Sequence, residues 1–493
     1  MFPGFLRFSH NRSLISIYRP WNRLIHTQSK TDRRIFMTTK FGPPINRSMT
    51  ELDRSFFNKQ VPLLVAYFPN PKFLGNFVKA CKADILYLPS IKHIVPVDDS
   101  KGVLLRADID DINNYNQQLT DVTKSKIEEY GIEIRPYTMN LDYDFWKSDD
   151  ILRAVLPENL LDEVPTGFAQ AGHVAHINLR DEFKPYGSLI GQVILDKNPK
   201  IETVVDKLQT IDTKFRTFQM KVLAGRDDLN VIQSESGCKF KFDFSKVYWN
   251  SRLSTEHERL IDQFKSQEVV GDVFAGVGPF AIPAAKKNVL VLANDLNPQS
   301  YKYLNENIQL NHVENFIKSY NLDGREFIKN SPQLLYDWYN QSPTIEIKKL
   351  KKKRKLDGNG NSSSNYDITT INVPKFYSNY VMNLPDSALT FLDAFIGLYS
   401  DPKIKSFVKS DPNFKLPIIN VHCFEKYSPQ EDPEPSQSEI ESRIHRRIVE
   451  LIQYDLEIKD CKFHLVRRVA PTKPMFCVSF QLPEEVAFRE SDL

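Results

Sequence analysis

The chain is poor in cysteine and has no long hydrophobic run. Its five cysteines, Cys81, Cys238, Cys423, Cys461 and Cys477, are scattered and lack a paired metal-ligand spacing, which is typical of a protein in a reducing compartment. No apolar run approaches the length of a membrane span, so we expect no membrane-embedded part and no metal site. Charge is nearly balanced, with 65 basic against 62 acidic residues. Binding to nucleic acid must therefore depend on local basic patches.

Acidic residues are absent before Asp32. The same segment contains four arginines, several serines and interspersed apolar side chains, a composition typical of a mitochondrial presequence. We therefore expect residues 1–36 to be a presequence, with a disordered basic tail as the alternative. Translation from Met37 would omit the segment, so the sequence predicts a location in the mitochondrial matrix and also in the cytoplasm, the nucleus or both.

One stretch predicts a nucleoside-binding turn. Residues 269–280 read VVGDVFAGVGPF, a short buried strand that runs into a glycine-bearing turn and a helix. A second apolar run, 289–293, is followed by Asn and then Asp295. In such a βαβ unit the glycines, here Gly276 and Gly278, let the backbone approach a ligand, and the acid accepts hydrogen bonds from ribose hydroxyls.

The third glycine of the dinucleotide fingerprint is missing. Its place falls within residues 280–282, which are Phe, Ala and Ile, and Pro279 occupies the predicted first helical position. Because proline has no N–H, a donor that a pyrophosphate would use is lost. The pattern therefore favours a ligand with ribose and adenine but no phosphate, and S-adenosylmethionine is the common one. A tight turn in an ordinary α/β domain is the alternative.

Further polar residues follow later predicted strands. Asp323 comes where a third strand should end, and Asn383 begins an Asn-Leu-Pro turn after a fourth. Because ligands of open α/β sheets bind outside the carboxyl ends of the strands, we expect Asp272, Asp295, Asp323 and Asn383 to converge on one edge. An acid at the third strand can accept a hydrogen bond from the exocyclic amine of adenine.

The motifs together match one family. They are FAGVGPF from residue 274, NDLNP from 294, DGREF from 323 and NLP from 383, with GHVAHINL from 172, KVLAG from 221 and VYWNSRLSTE from 247 upstream. In this combination they resemble the tRNA guanosine-37 N1-methyltransferases of archaea and eukaryotes, over roughly residues 165–485. The resemblance implies an α/β fold: a Rossmann-like class I methyltransferase domain with a mixed sheet, preceded by two smaller α+β domains.

The resemblance also implies a domain plan and a partner. After residues 1–36 we expect an N-terminal tRNA-docking domain at 37–164, and a middle α+β domain at 165–266 that contributes to the active site. The S-adenosylmethionine-binding domain would span 267–493, with a basic low-complexity insertion near 345–368. That insertion suits a nuclear localisation signal, a phosphate-contacting loop or a solvated loop. The expected partner is tRNA, contacted at the anticodon loop and the elbow by a monomer.

Methylation of guanine N1 sets definite chemical requirements. The nitrogen carries a hydrogen, and its removal places negative charge on O6, so the site needs a base near N1 and donors near O6. By resemblance Glu256 is the base, Arg216 and Asn383 stabilise O6, Tyr248 shapes the pocket and Pro385 fixes the turn after Asn383. Glu256 occupies a helix's first turn, which lowers a carboxyl pKa, so burial against the guanine would have to compensate.

The cofactor residues follow from the same resemblance. They would be His257, Asp272, Gly276, Gly278, Asp295, Leu296, Asp323, Gly324 and Asn383. His257 would lie near the methionine end of S-adenosylmethionine, and Asp272 would orient the glycine turn or meet the methionine ammonium. Asp295 with Leu296 would hold the ribose and border the adenine. Asp323 with Gly324 would meet the adenine edge.

Other functions remain open at this point. The nearest is the wybutosine-pathway transferase that moves the aminocarboxypropyl group of the same cofactor onto tRNA. A non-catalytic RNA-binding protein with a degenerate methyltransferase fold belongs to another class, although the retained acids argue against it. A methylase of exocyclic amines would carry Asn-Pro-Pro where this chain has Leu384. A dehydrogenase is disfavoured by the missing third glycine.

Overall fold

A computed structural model of the chain describes residues 40–211, 215, 218–350 and 366–490. The chain divides after Val164 into two compact units. The predicted presequence and the centre of the basic insertion lie outside the described residues. None of the described helices is both long enough and apolar enough to cross a membrane.

The first unit is an α+β domain built on an antiparallel sheet. Its strands are β1 (Lys59–Phe68), β2 (Ile94–Val97), β3 (Ser100–Leu104) and β4 (Glu133–Leu141), in the order β2-β3-β1-β4. Its helices are α1 (Leu74–Ala80), α2 (Tyr115–Gln118), α3 (Asp121–Tyr130) and α4 (Ser148–Val155). Leu64, Phe68, Phe77 and Val103 belong to its buried core, because alternate residues of a half-buried strand point to the same face.

The second unit begins with a small sheet and a hairpin. Strands β5 (Ala169–Ala171), β6 (Val174–Ile177), β7 (Thr203–Ile211) and β8 (Phe218–Gly225) form the sheet, with helix α5 (Gly187–Lys197) between β6 and β7. Strands β9 (Asn230–Glu235) and β10 (Cys238–Asp243) form the hairpin.

The middle segment does not stand alone. Val205, Phe240 and Phe242 share one buried cluster with Ala284 and Val291 of the nucleoside-binding region. The sequence predicts residues 165–266 as a domain of their own, whereas the structure places them in the same compact unit as the rest of the chain to Leu493. Sequence patterns reveal which residues are apolar, but not that two segments bury their apolar faces against each other.

A seven-stranded mixed sheet forms the centre of the second unit. Its strands are β11 (Val269–Asp272), β12 (Leu290–Asn294), β13 (Ile317–Tyr320), β16 (Asn379–Met382), β17 (Ile418–Phe424), β18 (Lys462–Ala470) and β19 (Lys473–Gln481). The order is β13-β12-β11-β16-β17-β19-β18. The first five are parallel, and β19 and β18 are antiparallel. The predicted Rossmann-like mixed sheet is therefore confirmed.

Helices and a second hairpin complete the unit. The helices are α6 (Ser254–Ile261), α7 (Ala281–Lys286), α8 (Pro298–Leu310), α9 (Gly324–Gln341), α10 (Pro402–Lys409), α11 (Gln437–Ile452) and α12 (Glu484–Ala487). Strands β14 (Thr344–Leu350) and β15 (Tyr366–Asn372) pair at the two ends of the basic insertion. Pro279, predicted as the first helical residue, lies in the preceding turn, because α7 begins only at Ala281.

The topology places a crevice at the end of β11. This strand pairs with β12 on one side and with β16, which lies over a hundred residues later in the chain, on the other. The connections after β11 and β16 therefore leave the sheet in different directions. Open α/β sheets bind their ligands in the crevice that such a divergence creates.

Candidate active site

A cavity of about 350 Å³ opens at the carboxyl edge of the parallel strands. Most of the predicted site residues line it: Tyr248, His257, Gly276, Asp295, Leu296, Asp323, Gly324, Asn383 and Pro385. They come from the segments that follow β10, β11, β12, β13 and β16. Parallel strands that end at a common edge thus bring together residues up to 137 positions apart, from Tyr248 to Pro385.

The two glycines of the turn, Gly276 and Gly278, have different structural roles. Both have a positive φ, +56° at Gly276 and +98° at Gly278, a region that favours glycine. A Cβ at Gly276 would meet nothing within 4 Å, so this backbone borders the open cavity. A Cβ at Gly278 would lie 2.8 Å from Ile282 Cδ1, so this glycine allows close helix packing. The expectation that Gly278 lines the ligand site is corrected.

Asp295 joins the ends of two strands. Its Oδ2 accepts a hydrogen bond from the Gly276 N–H at 2.8 Å, and its Oδ1 accepts from the Asn297 N–H at 2.9 Å. Burial raises the pKa of Asp295 to about 6, although both backbone donors lower it. A carboxylate offers about four lone-pair sites. Asp295 can therefore bind ribose hydroxyls while it holds the glycine turn.

A narrow apolar slot lies next to Asp323. This side chain caps α9 by accepting from the Arg325 N–H at 2.9 Å. A Cβ at Gly324 would lie 2.8 Å from Phe274 and 3.0 Å from Phe391, and the two rings meet edge to face with centroids 5.0 Å apart. Gly324 therefore packs directly against both rings, and all of these residues line the cavity, so this apolar, aromatic end suits a planar base such as adenine.

Phe274 and Phe391 were not predicted as site residues. Phe274 adjoins the glycine turn in sequence, so its position was a usable signal. Phe391 lies in a 3-10 helix, Ala388–Phe395, with no motif around it. The Arg325 guanidinium lies 4.7 Å from the centre of the Phe391 ring and pairs with Asp393 at 3.1 Å, which fixes that ring against the slot.

The Asn-Leu-Pro turn follows β16 as predicted. The Pro385 carbonyl accepts from the Phe424 N–H at 2.9 Å, which ties the turn to β17. The Asn383 Oδ1 is buried and has no hydrogen-bond partner among the described residues. A buried polar atom without a partner is unfavourable, so this oxygen is available to accept a hydrogen bond from a ligand in the cavity.

Glu256 does not line the cavity. Its side chain is 2% exposed and lies within a cluster of cationic groups: its carboxylate accepts from Arg259 Nε at 2.6 Å and Nη2 at 2.7 Å, and contacts His422 Nε2 at 2.8 Å. Burial alone would raise the pKa of Glu256, but the hydrogen bonds from Arg259 and His422 lower it to about 2. The raised pKa expected for a base is thus reversed in this state.

The same cluster contains possible metal ligands. Atoms of Glu256, His422 and Cys477 lie within 4.8 Å of one another. Burial would lower the pKa of His422, but its contacts with Cys477 and Glu256 raise it to about 10. Because Arg259 already pairs with the carboxylate, we interpret the cluster as a buried ion pair.

Two other predicted residues fall outside the lining. Arg216 lies outside the described residues, although its neighbour Phe215 borders the cavity. Asp272 is fully buried behind the glycine turn, and neither of its carboxylate oxygens has a hydrogen-bond partner of normal geometry among the described residues. Burial and the charge of Asp295 raise the pKa of Asp272 to about 8. Direct contact between Asp272 and a cavity ligand is therefore not supported, but an electrostatic role is.

The cavity mouth adds residues from the antiparallel strands. Arg467, Val469 and Met475 line it together with the exposed ring of Tyr248. Among the described residues no acidic side chain pairs with Arg467, so its positive charge faces the opening without compensation. The sequence alone does not place Arg467 at the site, because the return of β18 and β19 to this edge is a tertiary feature.

The whole arrangement fits S-adenosylmethionine. An apolar slot suits adenine, Asp295 suits the ribose, and the unpartnered Asn383 Oδ1 suits a donor group beyond it. In the glycine turn the Gly276 N–H, which could serve a pyrophosphate, already donates to Asp295.

Known families and proteins resemble the chain closely. The TRM5/TYW2 methyltransferase domain matches residues 231–335, and the TYW2 N-terminal domain matches residues 148–228. A tRNA (guanine(37)-N(1))-methyltransferase of Candida albicans (strain SC5314) is 63% identical over 92% of this chain and 100% of its own length. The Saccharomyces cerevisiae protein of the same name is 47% identical over 96% and 99%.

Solved structures share the fold. Trm5b from Pyrococcus abyssi aligns with a TM-score of 0.52 and 23% identity over 85% of this chain and 99% of its own. The complex of aTrm5 and tRNALeu aligns with a TM-score of 0.54 and 18% identity over 85% and 100%.

The pKa of Asp272 gives a pH-dependent prediction. Since folding raises this pKa from 3.8 to about 8, the folded state holds the proton more tightly, and stability falls as pH rises through that window. Asp272→Asn removes the ionisable group. Without cofactor at pH 8, the variant should melt at a higher temperature than the wild type, with a free energy of unfolding larger by more than about 1 kcal/mol. Near pH 4 the difference should vanish.

The control for this experiment is Glu314→Gln, which changes an exposed acid. Thermal melting of both variants from pH 4 to 8 is the measurement. A constant offset between Asp272→Asn and the wild type across that range would contradict the assigned environment of Asp272.

Proposed function

The chain belongs to the family of tRNA (guanine(37)-N(1))-methyltransferases, and from this we propose that it transfers a methyl group from S-adenosylmethionine to N1 of guanosine-37 in tRNA. One observation carries the proposal. A single cavity joins the apolar slot at Gly324 to the Asn383 turn and to a mouth with the uncompensated charge of Arg467. Such a cavity can hold the cofactor at one end and admit a base at the other.

The bound cofactor supplies an already activated methyl group on its sulfonium. The residues of the chain must therefore align the guanine and handle one proton. We propose that Glu256 accepts the N1 proton. Because both carboxylate oxygens are engaged with Arg259 and His422, the arriving guanine must replace one of these hydrogen bonds with its N1–H. Loss of a cationic partner and burial under the base would then raise the carboxyl pKa.

The charge that develops on O6 needs donors. We propose that Arg216 and the Asn383 Nδ2–H supply them, since a guanidinium is always charged and the Asn383 side chain lines the cavity. The position of Phe215 at the cavity supports the placement of the neighbouring Arg216. Tyr248, which is 48% exposed at the mouth, would stack on a nucleotide, and Pro385 would hold the Asn383 turn against β17.

The tRNA partner is proposed in more detail from the resemblance. We propose that the anticodon loop enters at Arg467 and Tyr248 and that the N-terminal unit contacts the tRNA elbow. We propose that the chain acts as a monomer. Gel-filtration mass and elbow-deleted tRNA substrates test these two points.

We also propose a dual location. The composition of residues 1–36 supports import into the mitochondrial matrix, and a start at Met37 would retain the protein in the cytoplasm or nucleus. Imaging of a tagged chain with Met37→Leu should show mitochondria alone. Unchanged cytoplasmic or nuclear signal would refute the use of that start.

Aminocarboxypropyl transfer is the second candidate, because the TYW2 N-terminal domain matches residues 148–228. One experiment distinguishes the two reactions: the purified chain is incubated with S-adenosylmethionine and with unmodified tRNA that bears G or A at position 37. We expect a methyl-sized increase in mass on the G37 tRNA, located at N1 by nucleoside mass spectrometry, and none on the A37 tRNA. A larger adduct, or equal reaction with A37, would contradict the proposal.

The roles of Glu256 and Arg216 predict a loss of turnover. Glu256→Gln and Arg216→Ala should each lower single-turnover methylation by roughly 100-fold or more, as expected for a lost base or oxyanion donor. The Kd for S-adenosylmethionine should change little, because neither side chain is assigned to the cofactor.

Arg259→Gln is the matched control, since it breaks the same ion pair but keeps the Glu256 carboxylate. If Glu256 serves only to hold the fold together, both variants should show the same loss of methylation rate and the same decrease in melting temperature. A catalytic Glu256 predicts a much larger loss of rate for Glu256→Gln than for Arg259→Gln.

A further inference from the structure

A buried carboxylate–imidazole pair adjoins the cavity. The Glu235 Oε1 lies 2.5 Å from the His257 Nδ1, and the two side chains are 6% and 5% exposed. A carboxylate that has lost its proton only accepts hydrogen bonds, so Nδ1 carries the hydrogen. Only His257 of the pair lines the cavity.

Two neighbours fix the imidazole ring. Glu235 holds it at Nδ1, and the Phe280 ring contacts it edge to face with centroids 4.7 Å apart. Among the described residues no group is hydrogen-bonded to Nε2. This nitrogen therefore remains for a ligand, and its direction is set before the ligand arrives.

The hairpin turn after β9 determines where Glu235 lies. Glu235 is the last residue of the strand and is paired in register with Cys238. Ser236 and Gly237 form the turn between them, with φ of +48° and +73°. Such a two-residue connection fixes register tightly, so the carboxylate stands at a defined position beside α6.

The order of the strands shows which end of the cofactor His257 would meet. The adenine slot at Gly324 follows β13, and the ribose acid Asp295 follows β12. The sheet continues through β11 to β16 and β17. Helix α6, which carries His257, is tied to β17 through the Glu256–His422 contact. His257 thus lies on the side opposite the adenine slot, where the amino-acid end of the cofactor would extend.

We propose that Glu235 is a positioning residue that holds His257 so that its Nε2 forms a hydrogen bond with the amino-acid end of the cofactor. This inference rests on the proposed function of the cavity. The Glu235 carboxylate fixes the ring through Nδ1, and Nε2 then meets a charged group of the cofactor, so that the hydrogen bond is charge-assisted.

Truncated ligands test the proposal without a turnover assay. S-adenosylhomocysteine carries the amino-acid end, whereas 5′-methylthioadenosine and adenosine lack it. Calorimetric titration of the full chain should show that Glu235→Gln weakens S-adenosylhomocysteine binding by about tenfold or more, as expected for a charge-assisted hydrogen bond. Binding of 5′-methylthioadenosine and adenosine should change by less than about twofold. Glu258→Gln, an exposed acid on the same helix, is the control.

The outcomes separate the possible failures. If Glu235→Gln weakens the binding of all three ligands equally, Glu235 only maintains the shape of the cavity. If S-adenosylhomocysteine binding is unchanged, Glu235 has no role in binding. Either result overturns the inference. If the wild type binds none of the three ligands, the proposed function itself fails. In a double-mutant cycle with His257→Gln, the losses of S-adenosylhomocysteine binding should be non-additive.

Discussion

The hydrogen bonds of Asp295 hold the site together. One carboxylate receives the Gly276 N–H from the turn after β11 and the Asn297 N–H from the turn after β12. It therefore sets the spacing of the two strand ends between which a nucleoside must fit. The same bonds occupy the amide that a pyrophosphate would use, so the turn that favours an adenosyl ligand also disfavours a dinucleotide.

Three buried carboxylates near this edge have different environments. Asp272 has no hydrogen-bond partner of normal geometry among the described residues, and burial and the charge of Asp295 raise its pKa. Glu256 has two cationic partners, and its pKa falls to about 2. Glu235 is paired with a single imidazole. The three carboxylates therefore differ in the charges around them, and these charges separate the electrostatic, proton-accepting and positioning roles that we propose for Asp272, Glu256 and Glu235.

Part of the proposed cofactor site was predictable from sequence, because several of its residues follow a strand end in a short motif. Asp295, Asp323 and Asn383 reach one cavity for that reason. The environment of Glu256 was not predictable: its partner His422 lies 166 residues away on β17, and only the folded sheet brings them together. Phe391 and Glu235 lie in segments without a motif, so nothing local marked them.

Direct binding of S-adenosylmethionine and NAD to the purified wild type and to Asp295→Ala tests the central claim, that a phosphate-free adenosyl ligand occupies this crevice. The account predicts that the wild type binds S-adenosylmethionine and not NAD, and that Asp295→Ala weakens S-adenosylmethionine binding by at least about tenfold while the protein remains folded. Unchanged affinity in that variant, or NAD binding by the wild type, would contradict it.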